Sequence, residues 1–435
     1  MNKYFGTDGI RGIANKDLTT SMAYSCGLAL TKIVDCPLVV VGEDTRKSNN
    51  LMLFSLCSGI MAGGGNVIDL GIIPTSAVSY LTKFVGADFG VMISASHNPK
   101  EYNGIKVFGS NAQKASEQLE NLIEEHMVNN SIKNYENIGT YVKKENLREK
   151  YLEKLINSVE VRLSGLKVVI DFSNGASFKL GEIPFKKLGA SVIKINDFSK
   201  NAEINENCGS QHLEQLQREV VLNNADLGIA FDGDADRIIA VDEKGRIIDG
   251  DAIIYILALS FKKRNLLKKD LLVGTTQTNS TLEKRLNKKG IRLLRSDVGD
   301  KYVIEKMQEF GASLGGEQSG HIILSNIIPT GDGILTGLKL MEVMKLENKK
   351  LSELFNLKLM PQLNKSVKVK DKLRIKNSEE LNKYLIKKQK DFDGRIIVRA
   401  SGTEDKIRVM VEGNSKTECK NILNDILNII ENLNI

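Results

Sequence analysis

The chain has 435 residues, 41% hydrophobic and 26% charged, the profile of a globular protein too long for one ordinary core. No apolar run reaches the length of a bilayer span, and the five cysteines lack Cys-X-X-Cys spacing, so they read as reduced thiols. The net charge of +7 raises nucleic acid as a partner, but the lysines interleave with Glu and Asn on solvated helix faces. The clusters Lys262-Lys263-Arg264 and Lys387-Lys388 carry no aromatics, so neither a nucleic-acid nor a membrane partner is expected.

In chain order, Gly6-Thr-Asp-Gly-Ile-Arg-Gly12 is a glycine-rich loop with one acidic and one basic residue. A helix is predicted over 18–34, ended by Pro37, then a strand over 38–41, a helix over 50–62 and a strand over 67–70. The apolar run 89–93 predicts a buried strand that breaks at Ser94-Ala-Ser96-His97-Asn98-Pro99, because Pro99 disfavours a helical Asn98. That leaves an exposed serine hydroxyl at the carboxyl end of a strand, where open α/β sheets place ligands. The polar segment 115–159 predicts a helical bridge. The start of the chain shows no signal-peptide apolar region, so a cytoplasmic protein is expected.

The alternation then begins again. Strands over 167–171, 191–195 and 226–231 with helices over 176–188 and 211–222 make a second round. Strands over 271–275, 292–294 and 313–315 with helices over 280–289 and 301–310 make a third. Gly86-Ala-Asp-Phe-Gly90, Asn224-Ala-Asp-Leu-Gly228 and Gly311-Ala-Ser-Leu-Gly315 introduce equivalent strands, each opening into an unusual loop. The predicted fold is α/β: three related, mixed or mostly parallel domains over 1–158, 159–250 and 251–358. A smaller α+β domain over 359–435 completes it, around a central cleft.

Four loops carry chemistry, although each taken alone, apart from the acidic one, reads as a plain polar turn. Ser96 offers a hydroxyl. Asp232-Gly-Asp234-Ala-Asp236-Arg237 sets three hard oxygen donors two apart, a pattern for Mg²⁺ that leaves room for a substrate oxygen. Glu317 and Ser319, with His321, suit vicinal sugar hydroxyls. Arg399, Ser401, Gly402 and Thr403, with Arg408, form a phosphate cradle. Together they fit phosphoryl transfer on a phosphorylated sugar.

These loops, in this order, resemble those of the α-D-phosphohexomutase superfamily over nearly the whole chain. The motifs 6–12, 93–99 and 315–321, with Asp297-Val-Gly-Asp-Lys-Tyr-Val303 and Gly331-Asp-Gly-Ile-Leu335, are similar to its bacterial branch acting on glucosamine phosphate. The resemblance implies that Ser96 is phosphorylated and shares one Mg²⁺ with Asp232, Asp234 and Asp236. It implies interconversion of glucosamine 6-phosphate and glucosamine 1-phosphate through a 1,6-bisphosphate, supplying amino-sugar precursors for the cell wall. Arg11, Lys106 and His321 match positions that handle protons or charge in relatives. Two residues depart from the branch pattern: Ala235 stands where glycine is usual, and Asp405 replaces a proline.

The rival readings are a phosphomannomutase or phosphoglucomutase with the same mechanism, and a non-catalytic sugar-phosphate sensor. A phosphosugar is the expected partner in each, and the expected assembly is a monomer or homodimer.

Overall fold

The computed structural model describes residues 4–6, 8–128, 138–198, 202–401 and 405–434. Among these, the strands form four sheets of seven, five, four and three strands. Two compact units result, one of residues 1–276 and 291–356, the other of 277–290 and 357–435.

In the larger unit the first three sheets repeat one arrangement. Phe89–Ile93, Leu227–Phe231 and Leu314–Gly316 are buried along their whole lengths. Continuous apolar runs such as the first two suit strands covered on both faces. Each pairs in parallel on one side, with Leu38–Glu43, Lys167–Asp171 and Leu271–Thr275 respectively. On the other side each pairs with an antiparallel return strand: Tyr102–Gly109, Ile238–Asp242 and Ile322–Leu324. The sheets are therefore mixed, and the three chemistry-bearing loops are the connections of these antiparallel pairs. Helices cover the sheets. Thr20–Ile33, whose N-cap Thr19 accepts from the Met22 N–H, buries Ala23, Cys26 and Leu30 in the core of the first sheet.

Several elements differ from those predicted. The bridge over 115–159 holds the helices Glu117–Val128 and Arg148–Asn157, but also a strand, Tyr141–Lys143, at the edge of the first sheet. The helix predicted over 176–188 shrinks to Ile183–Lys187. Its intended first turn is diverted, because the Ala176 N–H bonds the Gly233 carbonyl at 2.7 Å.

The smaller unit is an antiparallel sheet in the order Gln362–Lys368, Lys406–Gly413, Gly394–Ala400. Val409, Val411 and Ile407 project from one face into a core with Ile375, Leu381 and residues of the helix Lys416–Leu433. Residues 277–290, including the helix Ser280–Asn287, belong to this unit. There the buried Glu412 accepts from the Ser280 N–H at the helix start and from Arg395.

Candidate active site

The serine loop is built by an arginine. The buried Arg46 guanidinium donates to the carbonyls of Ser96 (2.9 Å), Asn98 (2.8 Å), Pro99 (2.5 Å) and Tyr102 (2.8 Å), and to Asp44 (3.0 Å). Five donors in a fixed fork let one side chain do this. Asn205 Nδ2 donates to the same Ser96 carbonyl, and Ser94 Oγ accepts from the Ser96 N–H. Held this way, Ser96 adopts a left-handed φ of +53°. Its Oγ donates to Asp232 Oδ2 at 2.6 Å and lies 3.2 Å from His97 Nδ1. Burial, helped by Arg237 and Arg11, pushes His97 down to about 2, so its ring is neutral at pH 7. The hydroxyl predicted to be exposed is fully buried. The reason is that the aspartate loop and Asn205 close over it.

The aspartate loop is pinned by backbone bonds from its own module and from both neighbouring ones. The N–H groups of Thr75, Ala176 and Gly333 donate to the carbonyls of Asp234, Gly233 and Ala235. Ala235 has φ +56°, a conformation that favours glycine and accounts for the residue usual there. Potential ligand oxygens of Asp232, Asp234 and Asp236 lie within 4.8 Å of one another, all buried. Lys106 Nζ sits among them, 2.7 Å from Asp234, 3.0 Å from Asp236 and 3.2 Å from Asp8. Burial opposes its charge, but these carboxylates hold its pKa well above the ordinary value. The ammonium does not fully compensate the triad. Burial, with Asp236 and Asp234, drives Asp232 well above the usual carboxylate range. Asp234 Oδ1 and Asp236 Oδ1 are buried without a hydrogen-bond partner among the described residues. Two carboxylate oxygens that make no hydrogen bond, beside a third carboxylate, are the donor set a hard divalent cation fits.

The third loop brings Glu317 and His321. The buried Glu317 accepts from the Gly299 N–H at 3.0 Å, at the start of helix Asp300–Phe310, and burial raises its pKa. His321 lies between Asp236 (3.7 Å from Nδ1) and Asp300 (3.5 Å from Nε2), with the Gly331 N–H donating to Nε2 at 3.2 Å. Burial disfavours the charged ring, yet Asp236 and Asp300 outweigh it and raise its pKa. Gly331 has no alternative here: a Cβ would lie 2.4 Å from the imidazole. Arg11 bonds Asp8 and, at 3.0 Å, Asn98 Oδ1. Ser319 is exposed at the loop tip.

In the smaller unit, Arg399 and Arg408 are directly opposite in the register of the two strands, and Arg408 is also opposite Ser366. Side chains directly opposite share a face, so the two guanidinium groups are set together. They line a pocket of about 260 Å³ with Gln277, Asn364 and Ser366. Ser401 is buried and its N–H bonds the Lys406 carbonyl at 2.8 Å, while Gly402 and Thr403 lie outside the described residues. Asp405 is 73% exposed and 3.8 Å from Lys372, so its charge is well screened.

The larger unit thus brings together Ser96, Arg11, Lys106, Asp232, Asp234, Asp236, Glu317 and His321. Arg399, Ser401 and Arg408 gather in the smaller one. Sequence reasoning missed Arg46, Thr75, Asp8, Lys114, Arg237 and Asp300. Three of these stand inside quoted motifs: Asp8 in 6–12, Arg237 in the aspartate loop and Asp300 in 297–303. Thr75, whose hydroxyl donates to Asp234 Oδ2 at 2.6 Å, and Arg46 give no sequence signal.

Fold and site together define a phosphohexomutase. The chain belongs to the phosphoglucomutase/phosphomannomutase family: its alpha/beta/alpha domains I, II and III match residues 2–134, 149–245 and 249–360, and its C-terminal domain matches 365–429. Within that family the chain is similar to curated phosphoglucosamine mutases. That of Clostridioides difficile (strain 630) is 44% identical over 444 residues, and that of Caldanaerobacter subterraneus subsp. tengcongensis 46% over 445. Each comparison spans 99% of both chains. A solved phosphoglucomutase/phosphomannomutase family protein from Burkholderia thailandensis has the same fold, with TM-score 0.83 and 23% identity over 99% of this chain and 97% of that one. So does Aspergillus fumigatus N-acetylphosphoglucosamine mutase, solved with GlcNAc-6P and magnesium, with TM-score 0.68 and 18% identity over 100% and 96%. No helix among the described residues is long and apolar enough to cross a membrane.

Proposed function

We propose that the chain interconverts glucosamine 6-phosphate and glucosamine 1-phosphate, with Ser96 as the phosphoryl carrier. The observation that carries this reading is the 2.6 Å contact of Ser96 Oγ with Asp232, inside a buried three-carboxylate cluster. A phosphoryl group on Ser96 passes to the free hydroxyl of the sugar phosphate: the P–O bond to serine breaks and one to the sugar forms. The product is a 1,6-bisphosphate, and after it turns, the other phosphoryl returns to Ser96. Lys106, kept charged by its carboxylates, and Arg11 meet the negative charge of the moving group. His321 exchanges the proton of the sugar hydroxyl. A Mg²⁺ bound by Asp232, Asp234 and Asp236 supplies charge neutralisation for the transfer. Glu317 and Ser319 read the sugar hydroxyls, and Arg399 and Arg408 hold the phosphate that is not reacting.

Turnover of glucosamine, mannose and glucose phosphates by the Ser96-phosphorylated enzyme tests the reading. Glucosamine 6-phosphate is expected to give the highest kcat/KM. A higher value for mannose or glucose phosphate reassigns the substrate, and no turnover of any of them refutes the mutase reading.

A further inference from the structure

Six titratable side chains close a ring near Ser96. Lys106 contacts Asp8 at 3.2 Å and Asp236 at 3.0 Å. Asp236 faces His321 at 3.7 Å, and His321 faces Asp300 at 3.5 Å. Lys114 bonds both Asp300 and Asp8, which returns the ring to its start. Around the circuit acidic and basic groups alternate. The members come from the first, second and third sheets' modules, and Lys114 joins Asp8 directly to Asp300, the first residue of helix Asp300–Phe310. The Lys114 side chain is 10% exposed, and those of Asp8 and Asp300 are 15% and 7%.

Local structure explains how Lys114 gets there. The chain doubles back after strand Tyr102–Gly109: Lys114 bridges to Phe108, and the Ala115 N–H bonds the Val107 carbonyl at 2.8 Å. Ala112 takes φ +66° to make that turn. Asp300 is the first residue of an eleven-residue helix, where a carboxylate is favoured by the unpaired N–H groups. Among the described residues, neither makes a hydrogen bond or ion pair to the aspartate triad or to Ser96.

We propose that Lys114 and Asp300 are positioning residues for the transfer. Lys114 clamps Asp8 to Asp300, fixing Arg11 and Lys106 through Asp8 and the His321 ring through Asp300. The proposal rests on the mutase reading above. Two adjacent carboxylates need the ammonium between them. Without it Asp8 and Asp300 repel, and both the arginine and the imidazole lose their geometry. Displacements of that kind lower the rate of a positioned reaction more than they weaken substrate binding.

Lys114→Met keeps length and removes the charge. Its kcat is expected to fall roughly ten- to a hundredfold with KM within about threefold of wild type, and Lys114→Arg to regain most of the loss. An activity-independent arm uses ¹⁵N-histidine labelling. The chain has only four histidines, and His321 ring signals are assigned with His321→Asn. Lys114→Met is expected to shift the His321 signals, both by removing a charge near the ring and by releasing Asp300, although no hydrogen bond or ion pair joins the two residues. Should Lys114→Met not accumulate in folded form, Asp300→Asn probes the same link from the other side. Unshifted His321 signals, an unchanged kcat, or no recovery in Lys114→Arg overturns the proposal. A wild type without mutase turnover overturns the functional reading instead, and the spectral arm then decides the clamp alone.

Discussion

Ser96 Oγ and Asp232 Oδ2 are 2.6 Å apart across 136 residues of sequence. The hydroxyl donates to a carboxylate whose own burial and like-charged neighbours raise its proton affinity. Ser96→Ala is therefore expected to abolish turnover while leaving the fold in place. The lost hydrogen bond costs stability by about 1–2 kcal/mol. Intact mass should show one phosphate on the wild type and none on the variant. Near-normal activity of the variant would end the assignment.

Asp234 uses Oδ2 for Thr75 and Lys106 and leaves Oδ1 unpaired among the described residues. Asp234→Asn preserves shape and neutralises one anionic donor. Activity is expected to drop by a few orders of magnitude and the Mg²⁺ concentration for half-maximal rate to rise. An unchanged metal titration would show that the triad is not the cation site.

Arg46 makes five contacts that a lysine cannot reproduce, because an ammonium has three donors and no planar fork. Arg46→Lys is expected to destabilise the protein by roughly 2–3 kcal/mol in urea titration and to lower kcat by misplacing Ser96. A variant equal to wild type in both would mean that the loop holds its shape without the guanidinium.

Arg399 and Arg408 oppose each other across two strands. Removing one by Arg399→Ala should cost about 1.5–3 kcal/mol of transition-state binding, or roughly ten- to a hundredfold in kcat/KM. Phosphorylation of Ser96 should be unaffected. Asp405→Pro should tighten binding only slightly, since Asp405 is largely exposed and faces Lys372. Steady-state kinetics on both variants check this, and an Arg399→Ala enzyme with unaltered constants would reduce the loop to a turn.

Asp332 is pushed up to about 6 by burial, against the bonds it accepts from the Leu335 N–H and the Tyr151 hydroxyl. Because the folded state holds this proton more tightly than the unfolded one, its contribution is most favourable below the unfolded pKa near 4. That contribution declines as pH rises from about 4 to 6, by roughly 2–3 kcal/mol in all. Asn caps a helix as well as Asp does. In Asp332→Asn, stability should therefore fall less than in the wild type between pH 4.5 and 7. Parallel pH slopes in urea titrations of the two proteins would contradict the assignment.

The chemistry-bearing loops are legible in the sequence because carboxylates or Ser-His-Asn-Pro directly after a fully apolar strand have few structural uses. The return strands are not. No strand is predicted over Tyr102–Gly109, whose Asn103, Gly104 and Lys106 interrupt the apolar pattern, yet Lys106 is buried because Asp234 and Asp236 meet its charge from another module. Such long-range compensation has no local signature. The helix predicted at 176 fails for a related reason: Ser173 and Asn174 take left-handed φ values and the Ala176 N–H serves the aspartate loop. Arg46 sits in Glu43-Asp-Thr-Arg-Lys47, a polar run indistinguishable from a surface turn until the carbonyls it holds are placed.

The central claim is that the phosphoryl group on Ser96 passes to the sugar. Enzyme carrying labelled phosphate on Ser96, mixed with excess unlabelled glucosamine 6-phosphate and Mg²⁺, tests it most directly. The label should leave the protein within the first turnovers and appear in glucosamine 1,6-bisphosphate and then in the monophosphates. Label that stays on Ser96 while the two sugar phosphates interconvert would contradict the account.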